Sequence, residues 1–445
     1  MNTPICDFVR EYCRSDALRL HMPGHKGMGP LGFEHLDLTE MEGADDLYHP
    51  DGIIAESEAI ASALFGCRTF YSTEGSSQCI RAMVFLVCQY ARLTGKRPLI
   101  AAGRNAHKTF LSAAALADAE VVWLYPQEGD SHLSCRLSGE EIALALDQME
   151  HMPAALYLTS PDYLGNITDI SAAANVCRER GVLLMVDNAH GAYLRFLEPS
   201  LHPADLGADL CCDSAHKTLP VITGGAYLHI GANAPGFFVR QAKEAMAMFG
   251  STSPSYLILQ SLDGANQYLA EDYRASLAGF LEQVRAAKER LRAAGYRFCG
   301  DEPMKLTLDA KARGYHGTDL AALLSRQGLY CEFADPDYLV LMVTPQTGPE
   351  GLQRLETALT GIPQRPALPR NSVPCCRPEQ VISPREAAFA PSQTLPVELC
   401  LGRILASANV SCPPAVPIVC CGERIDQQAM ECFAHYGITH CTVVI

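Results

Sequence analysis

From Ala55 onward the hydrophobic positions alternate between two patterns, one spaced like an amphipathic helix and the other a short unbroken apolar run. Residues 55–65 read as a helix stopped by Gly66. Residues 76–93 read as a second, with Ile80, Met83, Val84, Val87 and Ala91 on one face and Gly95 beyond its end. Apolar runs follow at 98–102, 120–125, 154–159, 182–186, 208–212 and 225–230, each bounded by turn residues or by a helix-like segment such as 172–180. Runs without polar alternation are buried on both faces, and their regular exchange with helices predicts an α/β fold with a parallel or mostly parallel sheet. Ahead of this region, residues 1–50 form a Gly/Pro/His-rich arm containing LHMPGHKGMGP, with too little periodicity for a long element. Behind it, residues 254–295 read as long helical stretches, and weak, charged alternation after Tyr296 predicts a smaller α+β domain over 296–362. Eight prolines between 361 and 396 predict an extended connector over 363–396, followed by a compact piece, 397–445, that ends in the strand-like CTVVI.

Composition narrows the function classes. The chain has 445 residues, 48% hydrophobic and 19% charged, which suits two or three folded domains, with 51–295 as the large one, and excludes general disorder. With 35 Lys and Arg against 50 Asp and Glu, the net charge of −15 repels phosphate backbones and anionic lipid, so neither nucleic acid nor a membrane is expected as a partner. No apolar run approaches the roughly 18 to 20 residues of a membrane span. The segment MNTPICDFVREYCRSD places acids and arginines where a secretory signal has an apolar core, which predicts a cytoplasmic location. The 19 cysteines form no CxxC pair and no Cys/His ligand spacing. The vicinal pairs Cys211-Cys212, Cys375-Cys376 and Cys420-Cys421 suit neither a disulfide framework nor zinc, so reduced thiols and no metal are expected. The sequons at Asn166 and Asn409 read as chance matches.

Candidate chemistry sits at strand ends. Ser214-Ala215-His216-Lys217-Thr218 directly follows the run 208–212, and ligands of open α/β sheets bind outside the carboxyl ends of strands. Lys217 is thus placed to bind something, although a lone S-x-H-K is usually surface charge. The run 182–186 ends in Asp187-Asn188-Ala189-His190-Gly191. A carboxylate at a buried strand end needs a cation or strong donors; a turn aspartate is the bland explanation. The sharper one pairs Asp187 with a protonated heterocycle, as the pyridinium of pyridoxal 5'-phosphate (PLP) requires. Thr73-Glu74-Gly75-Ser76-Ser77-Gln78 opens an amphipathic helix, and such N-termini bind phosphate, though an ordinary N-cap explains one serine equally well. His107, after the run 98–102, could lie over a planar cofactor; alone it reads as a hydrogen-bonded loop histidine. Gly27-Met-Gly29-Pro-Leu-Gly32 spells GxGxxG but follows a His/Pro turn and carries proline, so no nucleotide site is read there.

LHMPGHKG, TEGSS, RNAHKT, TSPDYLGN, VDNAHGA, SAHKT and STSPSYLILQSLD occur in this order from His21 to Asp263, and the set resembles the Orn/Lys/Arg decarboxylase family, PLP enzymes of the aspartate-aminotransferase fold. Weaker likeness resumes at SPREAAF and GRILASANVSCPPAVPIVCCGE. The resemblance implies that 51–295 is a PLP-binding domain. It makes Lys217 the Schiff-base lysine, Asp187 the partner of the ring nitrogen, His107 the ring-stacking histidine, and His190 a neighbour of the phenolic oxygen. Gly75, Ser76, Ser77, Ser214 and His216 resemble the phosphate site, with His216 also a candidate proton donor beside Lys217. The family's sites lie at a homodimer interface, where Ser253 would reach the neighbouring subunit's phosphate. Asn188 stands where the family usually has Glu, Tyr193 where it often has His, and Glu74 where Asn commonly precedes the glycine; Cys412-Pro413-Pro414 replaces a Tyr-Pro-Pro pattern. The chain resembles the short form, without an N-terminal receiver-like domain.

The implied reaction is decarboxylation of arginine, lysine or ornithine to the amine and CO2. A basic side chain would want an acidic end pocket, for which Glu423 and Asp45 with Asp46 are candidates against a default of surface acids. Two readings stay beside it: a PLP-dependent aminotransferase or lyase, and a catalytically weak PLP-binding regulatory homologue.

Overall fold

A computed structural model of the chain describes residues 1–126, 131–369, 376–407, 411–412 and 415–445. Cys375, Asn409, Pro413 and Pro414 lie outside the described residues, and so do the expectations resting on them. The fold is α/β. Strands β1 (Arg68–Ser72), β2 (Leu99–Gly103), β3 (Glu120–Leu124), β4 (Ala155–Thr159), β5 (Leu183–Asp187), β6 (Leu210–Asp213) and β7 (Ala226–Ile230) form a mostly parallel seven-stranded sheet in the order β1-β7-β6-β5-β4-β2-β3. The six apolar runs are all strands, their bounds shifted by up to two residues.

By contacts the chain divides into two compact units, Met1–Gly95 with Leu183–Ala275, and Lys96–Val182 with Ser276–Ile445. The first holds β1-β7-β6-β5. Strands β5 and β6 are parallel, in a register that sets Asp187 beside Cys212, while β7 runs antiparallel to both β6 and β1. Helix Gly75–Leu93 packs on β1, β6, β7 and helix Gly236–Ala247, burying Cys79, Ile80, Met83, Val84 and Val87 at helical spacing. Each such fully buried side chain contributes about 1.5–3 kcal/mol over leaving it in water. Helix Ile53–Phe65 stops as expected at Gly66, whose φ of 71° suits glycine and whose N–H closes on the Ser62 carbonyl.

Two elements of this unit depart from expectation. The arm carries an eleven-residue helix, Pro4–Arg14, started by proline in its first turn and anchored by the buried Ile5 and Val9. Strand β1 has only Phe70 and Tyr71 as large apolar residues, yet Thr69 and Ser72 are buried with them. Its pairing with β7 fixes it, not its own pattern.

The second unit holds β4-β2-β3, all parallel, and a separate antiparallel sheet. That sheet joins β8 (Phe298–Cys299), β9 (Lys305–Asp309), β10 (Phe333–Ala334) and β11 (Tyr338–Met342) in the order β10-β11-β9-β8. The stretch 363–396 is not extended throughout. It contains helix Pro384–Phe389, begun by a capping box between Ser383 and Glu386 with proline at the first helical position, and strand Ser392–Pro396. The final CTVVI lies in strand His440–Val444, which pairs with Ser392–Pro396.

Candidate functional site

In the first unit, the carboxyl ends of β5 and β6 gather most of the expected residues. Lys217 sits in a one-turn helix, Ala215–Thr218, immediately after β6, with its N–H closing on the Ser214 carbonyl. Its Nζ lies 3.0 Å from Nε2 of His190, which follows the end of β5. An ammonium only donates, so the ring nitrogen is the acceptor when Lys217 is charged. Asp187, the last residue of β5, is 3% exposed, accepts the Ala189 N–H at 3.2 Å and lies 3.8 Å from the Cys212 thiol. The aspartate thus ends one strand and the lysine follows the adjacent parallel one.

Helix Gly75–Leu93 begins in the same unit. The Ser214 and Ser76 hydroxyls are 2.8 Å apart at this helix start, and helix N-termini turn their first N–H groups outward, ready for an anion. Gly75 donates its N–H to the Gly224 carbonyl at 2.7 Å. A Cβ on Gly224 would come within 2.9 Å of the Thr73 carbonyl oxygen, at a φ of +101°, so glycine is required for the two loops to meet. His216 donates Nδ1–H to the Gly225 carbonyl at 3.0 Å, which fixes its tautomer. The donor set suits PLP: an amine, a buried carboxylate, and two hydroxyls at a helix N-terminus for phosphate. Ser253 is exposed, its N–H turned back to Ser251 Oγ at 3.1 Å.

Asp45 has another occupation. Its two oxygens accept the N–H groups of Asp46, Asp51, Gly52, Ile54 and Ala55, closing the turn that starts helix Ile53–Phe65. That accounts for the carboxylate without a substrate.

The other two expected residues belong to the second unit. His107 caps helix Lys108–Ala117, its Nδ1 accepting the Thr109 N–H at 3.1 Å, as a loop histidine would. Glu423 is not a surface acid. It is fully buried, 3.2 Å from the equally buried Arg104, and accepts the Cys420 N–H at 2.6 Å; Oε1 has no partner. Burial pushes its carboxyl up against the pull of Arg104.

Two clusters were illegible in the sequence because their members lie far apart. His132, Cys376 and Cys432 converge in the second unit, all buried, with His132 Nε2 3.2 Å from Cys432 Sγ. They supply three donors where a closed zinc shell takes four. His202, Asp213 and His229 converge in the first, all fully buried, around one carboxylate.

Comparison with known proteins bears on this geometry. The family model described as Orn/Lys/Arg decarboxylase, major domain, matches residues 3–299. An uncharacterized protein of Bacillus subtilis (strain 168) is 29% identical over 97% of this chain and 93% of its own length. An arginine decarboxylase of Bacillus anthracis is 28% identical over 96% and 92%. Among solved structures, the lysine decarboxylase of Francisella novicida superposes with a TM-score of 0.78 at 16% identity, covering 100% of this chain and 81% of that one. The constitutive lysine decarboxylase of E. coli gives 0.77 at 16%, covering 100% and 82%. These likenesses establish the fold of PLP-dependent fold type I enzymes, as the sequence predicted. Among the described residues no helix is long and apolar enough to cross a membrane.

Proposed function

The chain belongs to the Orn/Lys/Arg decarboxylase family, and from that premise we propose that it binds PLP through Lys217 and decarboxylates a basic amino acid, arginine, lysine or ornithine. The observation that carries the reading is the 3.0 Å approach of Lys217 Nζ to His190 Nε2, beside a strand ending in the buried Asp187. PLP, when bound, supplies the sink for the electron pair left as CO2 departs. Lys217 is the amine that holds the cofactor and yields to the substrate. His190 takes a proton from the Lys217 ammonium, since only the neutral amine is a nucleophile. Asp187 keeps a proton on the ring nitrogen, and its burial strengthens that ion pair. Ser76, Ser77, Ser214 and the start of helix Gly75–Leu93 hold the phosphate, and Lys217 or His216 returns a proton to Cα. His107 stacking, the reach of Ser253 into a second subunit, a homodimeric assembly and a cytoplasmic location are parts of the same proposal. Asp45 carries no substrate role in it, being taken by the turn. Glu423 retains one unpartnered oxygen for a basic side chain.

Purified protein given PLP should release CO2 from at least one of arginine, lysine and ornithine and form the matching amine, and Lys217→Ala should abolish turnover. Borohydride should leave a pyridoxyl tag on the peptide containing Lys217. Keto acid without CO2 would mean transamination, and PLP binding without turnover across the panel would mean a binding subunit.

A further inference from the structure

Asp213, the last residue of β6, is a buried hub. Its Oδ1 accepts Nδ2–H of Asn188 at 2.6 Å, and its Oδ2 is met by Nε2 of His202 at 3.0 Å and of His229 at 3.1 Å; all four residues are 0% exposed. The cluster has metal-like composition but the wrong proton inventory. His202 Nδ1 accepts the Ala204 N–H at 3.3 Å, so Nε2 must carry the ring proton and donate to Asp213. A metal at that Nε2 would need a doubly deprotonated ring. His229 is turned the same way, its Nδ1 lying 2.9 Å from Thr69 Oγ1. Three donors around one carboxylate describe an ionised acid held as an acceptor, and against the push of burial His202 and His229 hold it well below the usual carboxylate range.

What the hub grips is the turn that carries site residues. Asn188 donates its backbone N–H to the Cys212 carbonyl, and its own carbonyl accepts the Gly191 N–H at 2.8 Å, closing the turn 188–191. Asp187 precedes that turn and His190 lies within it, against Lys217. The Asn188 side chain occupies the space beside Gly191, where a Cβ would meet Oδ1 at 2.0 Å. We propose that Asp213 is a positioning residue: by accepting from Asn188 it locks the turn that sets His190 against Lys217 and fixes Asp187 for the cofactor, with His202 and His229 as its fixed donors. The proposal rests on the reading of Lys217 as the PLP lysine. It also gives a reason for the amide at position 188, since an acid there would face Asp213 oxygen to oxygen in a dry site.

The test exchanges donor and acceptor. Asn188→Asp alone puts two carboxylates in contact. Adding Asp213→Asn restores one donor and one acceptor, because the amide introduced at 213 gives its N–H to the new acid and its oxygen to the two imidazoles. At pH 8, Asn188→Asp should weaken PLP binding by about 10-fold or more, as loss of a hydrogen bond to a buried charge implies, and the double exchange should recover it to within about 3-fold. The visible absorption spectrum of the PLP-loaded protein should shift in the single variant and return in the double one. Asn188→Ala, which introduces no charge, serves if Asn188→Asp does not fold, with a weaker loss of about 3- to 10-fold. Unchanged PLP binding in Asn188→Asp, or a double exchange no better than the single, would overturn the lock. If the unaltered protein binds no PLP, the functional reading fails, and the urea midpoints of the apoproteins decide the lock separately. A midpoint lowered in Asn188→Asp and recovered in the double variant supports it; equal midpoints for the unaltered and single-variant proteins reject it.

Discussion

Arg104 and Glu423 meet with both side chains almost wholly out of water, and Arg104 also donates to the Pro417 and Ile418 carbonyls at 2.9 and 2.8 Å. Such a pair contributes little net stability beyond a well-packed apolar replacement, yet removing one partner strands the other charge. Glu423→Gln should therefore lower unfolding stability in urea by about 3–5 kcal/mol, whereas Arg104→Met with Glu423→Leu should cost far less. A Glu423→Gln variant of unchanged stability but raised KM for the basic substrate would instead assign the acid to substrate binding. The pair also marks where residue-scale reading stops. Lys217 and Asp187 were legible as candidates because each follows the end of an apolar run, and sheet topology gives strand ends a meaning. Glu423 stood in the sequence only as a candidate against a default of surface acid, because its neighbour Arg104 is 319 residues away and no periodicity links them. Asp213 was passed over for the same reason: His202 and His229 reach it only once the strands are paired.

At the scale of elements, the hairpin of β10 and β11 turns on Asp335. Its Oδ1 accepts the Asp337 and Tyr338 N–H groups at 2.7 and 2.6 Å, while Oδ2 is buried without a partner. Burial raises this carboxyl to about 6. Because the native state holds the proton more tightly than the unfolded chain, whose value is near 3.9, the stabilisation is full below about pH 4 and lost as pH rises through 6. The loss amounts to about 2–3 kcal/mol. Asp335→Asn keeps the accepting oxygen and cannot ionise. Its unfolding free energy should lack that decline, leaving it about 1–2 kcal/mol more stable than the unaltered protein at pH 7.5. Urea midpoints at pH 4, 5 and 7.5 measure this, and parallel pH profiles for the two proteins would count against it. The turn was not foreseen, since neither strand of the hairpin stood out from the charged alternation after Tyr296. The long helices and buried strands were, because fully apolar runs leave only one way to be satisfied. Strand β1 escaped because its burial comes from pairing with β7 and not from its composition.

At the scale of the whole molecule, the balance of charge and exposed apolar surface bears on assembly. The arm presents Leu18 and Leu20 at least four-fifths exposed, with Met22, Met28 and Leu31 more than three-fifths exposed nearby. Scattered exposed apolar residues are ordinary, but five within fourteen positions of one arm form a surface that water disfavours. A second copy of this chain is the occupant the proposed homodimer supplies. Each copy carries a net charge of −15, so two copies repel, and in the proposed dimer the apolar arm is the candidate source of the attraction. Association should then tighten as salt rises from 0.05 to about 0.5 M, because screening removes repulsion while apolar contact is retained. Leu18→Ser with Leu20→Ser should weaken the dimer by about 10-fold or more, on the transfer cost of two leucines, without moving the thermal midpoint of the dissociated chain. Sedimentation velocity over a range of concentrations reads both effects. A dimer that loosens with salt, or one indifferent to the two serines, would show that charge pairs or another face hold the copies together.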